Sequence, residues 1–291
     1  MIEGVVKESD VSIVIPAKNE SASLAALLEQ LHAVAKWREV IVVDDGSSDE
    51  TQAIAEAAGC VVPRHPYSKG NGAAIKTGAR LATGDVIVFM DADGQHAPAD
   101  IERLLARIGE GYDLVVGARQ QGSQASVGRG LANGFYNRLA TYMTGHEVED
   151  LTSGFRAVRA DKFREFLYLL PNGFSYPTTS TMAFFRAGYS VAYEPIHAAQ
   201  RVGKSHIKPL KDGVRFLLII FKIGTLYSPL KLFAPVSVLA FFIATLWYGY
   251  TLIVDGRFTN MSALLYTGSV MVFLMGLISE QITALMYKDG S

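Results

Sequence analysis

The sequence predicts an α/β domain on a mainly parallel sheet, followed by an amphipathic helix and a two-helix membrane hairpin. Short apolar runs alternate with helix-compatible stretches from Val11 to about Gly117. The C-terminal third holds two long stretches without a charged side chain, and a basic amphipathic segment precedes them. Alternating βα units of this length pack as a parallel sheet sandwiched by helices.

Apolar runs suited to buried parallel strands occur at Val11–Ile15, Val40–Val43, Val86–Met90 and Leu114–Val116. Between them, Ser21–Lys36, Asp49–Ala58, Gly72–Leu81 and Pro98–Ile108 suit helices. Their starts carry capping chemistry: Ser21, then Ser48 or Asp49, then Ala97 followed by Pro98. Between Lys231 and Asp255, and again between Arg257 and Glu280, no side chain is formally charged. Each stretch exceeds the roughly 20 residues that cross a hydrocarbon core. The short connection from Asp255 to Asn260 makes them an antiparallel hairpin. Before it, Ile207, Leu210, Val214, Leu217, Leu218 and Phe221 recur at helical spacing among Lys211, Arg215 and Lys222, the pattern of a helix lying in the interface. Arg201, Lys204, Lys208, Lys211, Arg215, Lys222 and Lys231 outweigh Arg257 in the connecting loop, so the N-terminal domain is expected on the cytoplasmic face. The expected division is 1–205, 206–229 and 230–291.

The 27 basic and 28 acidic side chains give a net charge of −1, which offers no electrostatic footprint for nucleic acid. Cys60 is the single cysteine, excluding an intramolecular disulfide and a cysteine zinc cluster, and its neighbours Val61 and Val62 suit a buried thiol. Met1 to Asp10 has no apolar core, so no cleavable signal peptide is expected.

Three strand ends carry the chemistry. Pro16-Ala-Lys-Asn-Glu20 leads from the first strand into a helix, and Asp44-Asp45-Gly-Ser-Ser-Asp49 follows the second. The third is Asp91-Ala-Asp93-Gly-Gln95-His96, two carboxylates and a carboxamide at the end of a buried strand. Ligands bind at the carboxyl ends of strands in open α/β sheets. Oxygen donors spaced in this way suit Mg²⁺ or Mn²⁺ shared with phosphates. Lys69-Gly-Asn-Gly72 adds a cation and two glycines at a helix entrance, where a phosphate can approach closely. Neither a Gly-x-Gly-x-x-Gly after the first strand nor a Walker loop is present, so the loops together describe a different nucleotide-diphosphate site. Along an extended backbone only one of Asp44 and Asp45 can face the ligand. Ser153-Gly-Phe-Arg156 reads either as a functional loop or as a turn with Gly154 at positive φ. His96 reads equally as functional or as closing its turn. His32, His65, His146, His197 and His206 show no ligand spacing and read as structural or surface residues.

With those motifs in this order, the chain resembles glycosyltransferase family 2, and within it the dolichol-phosphate mannose and polyprenyl-phosphate glucose synthases. Further matches are Gly117-Ala-Arg119, Asp150-Leu-Thr-Ser-Gly-Phe-Arg156 and Arg201-Val-Gly-Lys-Ser205. The resemblance covers roughly residues 10 to 230, and the hairpin is similar to the two-span members. It implies a GT-A fold in which Pro16, Ala17, Glu20 and Asp45 line a nucleoside pocket with Lys69 nearby. Asp91, Asp93 and Gln95 would hold the metal that bridges the diphosphate of a sugar nucleotide. Arg119 and Arg129 would receive the phosphate of a polyprenyl acceptor, and Arg201 with Lys204 would close over donor or acceptor phosphates. Where the family often has a second arginine this chain has Gly130, and where it often has a serine it has Asn133. The acceptor-phosphate contacts therefore stay open, with Arg138 as a possible substitute.

The chemistry follows from the groups. A metal neutralises a diphosphate leaving group as a Lewis acid. A phosphate monoester, largely ionised at neutral pH, needs no strong general base. It needs cations that hold it in line beside an anionic donor, which gives a single displacement with inversion at the anomeric carbon. Glucose from UDP and mannose from GDP both fit, and a homo-oligomer built on hairpin contacts is possible. A membrane-tethered nucleotide-sugar sensor, or a transferase with a different acceptor, are the alternatives. A sugar nucleotidyltransferase would need a Gly-rich, Arg-containing loop after the first strand. A processive polysaccharide synthase would need a Gln-x-x-Arg-Trp motif, and the only tryptophans are Trp37 and Trp247.

Overall fold

A computed structural model describes residues 5–119, 127–173, 175–197, 221, 224–225 and 227–288, without the side chains of 127–133, 287 and 288. The chain forms two compact units, Met1–Ile207 and Lys208–Ser291. The first carries a six-stranded sheet in the order β2-β1-β3-β5-β4-β6. Its strands are β1 (Val11–Ala17), β2 (Glu39–Asp44), β3 (Val86–Phe89), β4 (Leu114–Arg119), β5 (Arg156–Arg159) and β6 (Val191–Ile196). β2, β1 and β3 run parallel, with Ala17 opposite Asp44 and Val14 opposite Phe89. β5 runs antiparallel to both β3 and β4, and β6 is parallel to β4. The sheet is thus mainly parallel with one reversed strand. β4 points the same way as β3, so its last residue, Arg119, emerges at the edge where Asp91 follows β3.

The helices are α1 (Ser21–Val34), α2 (Thr51–Ala57), α3 (Asn71–Leu81), α4 (Ile101–Gly109), α5 (Val127–Thr144), α6 (Ala160–Glu165) and α7 (Tyr176–Arg186). One face of the sheet offers Ile13, Ile15, Val42, Val88 and Val115 to Leu24, Leu28 and Leu31 of α1 and to Leu104 and Ile108 of α4, all buried. Each such side chain contributes about 1.5–3 kcal/mol on removal from water. Across the other face α3 lies close to the strands. A Cβ at Gly78 would come within 2.3 Å of Val14, so a larger residue there would push the helix off. Cys60 is half-buried beside an isolated bridge between Ile41 and Val61, and burial pushes its thiol up to about 11.

The start of α1 is capped from a distance. The Ser21 backbone N–H donates to Asp49 Oδ2 at 3.1 Å, while Asp49 Oδ1 accepts from the Thr51 N–H at 3.1 Å and its hydroxyl at 2.5 Å. Asp49 therefore serves both α1 and α2, and Ser21 is the capped residue rather than the cap. The helix expected from Pro98 opens with a single 3₁₀ turn, Pro98–Asp100, before α4.

The second unit contains α8 (Pro229–Asp255) and α9 (Asn260–Lys288), both long and apolar enough to cross a membrane. At about 1.5 Å per residue each reaches roughly 40 Å. Gly256, at φ +64°, ends α8 by donating its N–H to Leu252 O at 3.1 Å, a left-handed cap that a β-carbon would strain. The seam between the helices is built of small side chains seven residues apart. Ser237, Ala244 and Thr251 of α8 are buried, as are Ser262, Ser269, Gly276 and Thr283 of α9. Ser237 Oγ donates to Ser269 O at 2.9 Å, and a Cβ on Gly276 would stand 2.7 Å from the Phe233 Cβ. Small residues bring two helices close where no water drives them together. Outward, Leu246, Ile253 and Leu264 are 65–87% exposed, a surface suited to lipid. The interfacial helix expected over 206–229 falls almost wholly outside the described residues.

Hydrogen bonds from Thr51 and Ser21 outweigh the desolvation that pushes the Asp49 carboxyl up and hold it at about 2. A depressed folded-state pKa stabilises above the unfolded value near 3.9 and is lost as pH falls through about 2. Asp49→Asn is expected to cost about 1 kcal/mol or less at pH 7. That gap should close as the pH falls from about 4 toward 2, which thermal unfolding of wild type and variant across this window will show.

Candidate active site

Pairing in register brings the carboxyl ends of β1, β2 and β3 to one edge, which opens onto a cavity of about 380 Å³. Its wall contains Pro16, Ala17, Lys18, Glu20, Asp45, Ser68, Gly70, Asn71, Ala74, Asp91, Ala92 and Asp93. Pro16, Ala17, Glu20, Asp45, Asp91 and Asp93 were all expected there. A smaller cavity, about 80 Å³, shares Asn71 and Asp91 with it and extends between Thr152 and Gly154 on one side and Ser175, Tyr176, Pro177 and Thr178 on the other.

The turn from β1 into α1 passes through Asn19 at φ +55°, a conformation that asparagine tolerates. The turn is tied to the loop after β2. Asn19 N–H donates to Ser47 Oγ at 3.0 Å, Asn19 Oδ1 accepts from the Ser48 N–H at 2.8 Å, and Glu20 N–H donates to Thr51 Oγ1 at 3.0 Å.

Asp44 and Asp45 divide as the extended backbone requires. Asp44 accepts from the Ser47 N–H at 2.8 Å and lies 3.2 Å from Arg64 Nε. Asp45 turns toward the cavity, and its carboxylate accepts from Ser68 Oγ at 2.7 Å, Lys69 N–H at 2.8 Å and Gly70 N–H at 2.9 Å, with His65 Nδ1 at 2.7 Å. These contacts draw the carboxyl below its ordinary range against the desolvation of its site. A carboxylate has about four acceptor positions, so Asp45 is committed to folding the 65–70 loop onto the cavity wall. His65 is buried with Nε2 2.9 Å from Thr77 Oγ1, which ties the loop to α3. Nothing in the sequence marked His65, because its partners lie in two other elements. The Lys69 ammonium stands 5.9 Å above the Tyr67 ring, and the cavity wall takes the flanking Ser68 and Gly70.

The glycines at the start of α3 also make close backbone contacts with residues 171–173. Gly72 N–H donates to Gly173 O at 3.1 Å and Ala73 N–H to Asn172 O at 2.9 Å. A Cβ on Gly72 would meet Pro171 O at 2.0 Å, so the close approach these glycines permit is to residues 171–173.

Asp91 is backed by Gly154, where a Cβ would stand 2.7 Å from Asp91 Oδ2. Gly154 is absent from the positive-φ residues, so it is there for this contact and not for a left-handed turn. Gln95 donates its backbone N–H to Asp93 Oδ1 at 3.2 Å. His96 is buried and stacked on Phe155 with ring centroids 5.0 Å apart, and burial holds it at about 4 despite Asp93 nearby. Among the described residues no group of three or more His, Cys, Asp or Glu forms a metal cluster. Two carboxylates on a cavity wall nevertheless fit a Mg²⁺- or Mn²⁺-type ion, which takes one or two protein carboxylates and completes its shell with substrate phosphates and water.

Arg119 leaves β4 within electrostatic range of Asp91 and pairs with Asp150 through Nε at 2.8 Å and Nη2 at 3.0 Å, with Nη2 also 2.6 Å from Thr152 Oγ1. Desolvation opposes the charge of buried Asp150, but the Arg119 guanidinium and the Thr152 N–H keep its carboxyl below the usual range. The Arg129 side chain, Arg201 and Lys204 lie outside the described residues, as does the Asn133 side chain.

Comparison with known proteins identifies the family. Residues 12–167 match the family model for glycosyl transferase family 2, and residues 228–285 match that of the GtrB C-terminal hairpin. The undecaprenyl-phosphate 4-deoxy-4-formamido-L-arabinose transferase of Proteus mirabilis is 31% identical, over 97% of this chain and 91% of its own. Its counterpart in Pseudomonas paraeruginosa is 30% identical over 96% and 86%. Among solved structures, glucosyl-3-phosphoglycerate synthase of Mycobacterium tuberculosis, in complex with Mn²⁺, UDP-glucose and phosphoglyceric acid, superposes with a TM-score of 0.60 at 22% identity, over 74% of this chain and 78% of that one. That likeness is one of fold.

Gly154→Ala forces its methyl group against Asp91. We expect it to weaken Mn²⁺ binding about tenfold in the presence of UDP or GDP, read from the spectrum of free Mn²⁺. Unaltered affinity would mean that Asp91 holds no ion.

Proposed function

The chain belongs to glycosyl transferase family 2, and on that premise we propose that it transfers a hexose from a UDP- or GDP-linked donor to a polyprenyl phosphate at a membrane. The observation that carries this reading is the placing of Asp91 and Asp93 on the wall of the larger cavity, at the carboxyl ends of three parallel strands. The names of the Proteus and Pseudomonas relatives, both acting on undecaprenyl phosphate, support the acceptor. Two helices suited to spanning a bilayer support the membrane setting, and the basic residues preceding them favour a cytoplasmic catalytic domain. The working division is a catalytic domain over 1–205, an interfacial helix over 206–229 and a hairpin over 230–291.

In this reading Pro16, Ala17 and Glu20 form the nucleoside wall, and Asp45 holds the 65–70 loop that completes it, with Lys69 beside it. Asp91, Asp93 and Gln95 would hold the divalent ion. When bound, that ion neutralises the departing diphosphate as a Lewis acid. Arg119 is held in orientation by Asp150 and Thr152. From there it supplies positive charge to the acceptor phosphate, together with Arg129. By the family resemblance Arg201 and Lys204 would close over the donor or acceptor phosphates. The acceptor oxygen is already anionic, so no residue is required to take a proton from it. Positioning in line with the leaving group is the chain's main contribution, and the product has inverted anomeric configuration.

The test uses purified protein in detergent with polyprenyl phosphate, labelled UDP- and GDP-sugars, and Mn²⁺ or Mg²⁺. Sugar is expected in the lipid fraction with inverted configuration, and Asp93→Ala or EDTA should lower the rate by at least about a hundredfold. Nucleotide binding without transfer across the panel would favour a sensor or a different acceptor instead.

A further inference from the structure

Arg156 opens β5, its side chain fully buried, and forms no ion pair among the described residues. Its Nη1 donates to Pro177 O at 2.9 Å, Ser180 Oγ at 2.9 Å and Thr181 Oγ1 at 3.1 Å, while Nη2 donates to Ser153 O. The guanidinium lies 5.6 Å from the Tyr176 ring, whose hydroxyl donates to Gly154 O at 2.9 Å. Burying a lone cation costs several kcal/mol, and an apolar side chain of like volume would fill the space without that cost. What an apolar side chain cannot do is join two chain segments through directed hydrogen bonds.

Those two segments are the opposite walls of the smaller cavity. Ser153 lies between Thr152 and Gly154 on one wall, and Pro177 belongs to the other. Asp91 lies where the two cavities meet. Backbone strain accompanies the arrangement, since Ser175, at the start of α7 and on the cavity wall, is held at φ +85°. A non-glycine residue in that region persists only where its surroundings enforce it.

The geometry points to Arg156 as a positioning residue that fixes both walls of the smaller cavity against Asp91 and thereby sets which donor sugars are transferred. This rests on the transferase reading above. The larger cavity shares only Asn71 and Asp91 with the smaller one, so changes at Arg156 are expected to alter binding of the nucleotide without its sugar far less than transfer.

Arg156→Lys keeps the charge and removes the fork. Thr181→Val removes one acceptor, on a residue that does not line the cavity. Both are compared with wild type for kcat and KM on two donors that differ at one sugar carbon, and for Kd of the bare nucleotide. For Arg156→Lys we expect a fall of roughly 10- to 100-fold in kcat/KM, the range a misplaced reactant produces. The ratio between the two donors should shift about fivefold or more, while nucleotide Kd stays within about twofold. Thr181→Val should shift the ratio in the same direction by less. A loss equal for both donors, as a smaller folded fraction would give, overturns the proposal. If Arg156→Lys does not fold, an unaltered ratio in Thr181→Val overturns it. Wild-type protein that transfers no sugar to lipid overturns the transferase reading and this proposal with it, whereas active wild type with unaltered ratios overturns this proposal alone.

Discussion

β5 runs against both of its neighbours, and that reversal brings the start of the strand, rather than its end, to the edge where Asp91 and Arg119 emerge. The loop entering β5 is therefore delivered to the site along with the strand ends of β1, β2, β3 and β4. It supplies Asp150 to hold Arg119, Gly154 to back Asp91, and Arg156 to tie the loop to α7. With β5 parallel to its neighbours, these residues would stand at the opposite edge of the sheet. Residues from five strands or their flanking loops meet because of this one inversion.

The polar groups at this edge are arranged mostly by one another. Asp45 gathers the 65–70 loop, Asp49 caps two helices, and Asp150 fixes the guanidinium of Arg119. Each carboxylate is held ionised by hydrogen bonds that exceed its desolvation cost. Such a frame is assembled before any ligand arrives, which is what positioning by fixed dipoles and charges requires. Arg156 is the exception, a buried cation whose Nη groups donate to carbonyl and hydroxyl oxygens instead of a carboxylate.

The hairpin follows different rules. Its helices meet through hydroxyl, methyl and glycine positions at seven-residue spacing, and its long aliphatic side chains face outward. In water this would be an inverted protein. In hydrocarbon it is the expected order, because lipid solvates Leu and Ile as well as another helix does, and close packing is what remains to hold the pair.

The sequence by itself determined β1 to β4, α1 to α4 and the hairpin, whereas β5, β6 and α5 to α7 came only with the structure. Apolar periodicity, chain direction at Pro, Gly and Asp, and the length of uncharged runs are local properties, readable from neighbouring residues. Asp45, Asp91 and Asp93 were legible for the same reason, since a polar residue that ends an apolar strand must lie at the sheet's edge. Only the tertiary structure decided what these residues touch. That Asp49 rather than Ser21 caps α1, that Gly72 admits residues 171–173, that Asp45 is saturated by a loop containing His65, and that Arg119 is paired with Asp150 are contacts across 20 to 101 residues of chain. So is the bond from Arg156 to α7, on which the smaller cavity's walls depend. Side-chain hydrogen bonds depend on distances of a few tenths of an ångström between separate elements. A sequence fixes the donors and acceptors along the chain, and strand order and direction select which of them meet.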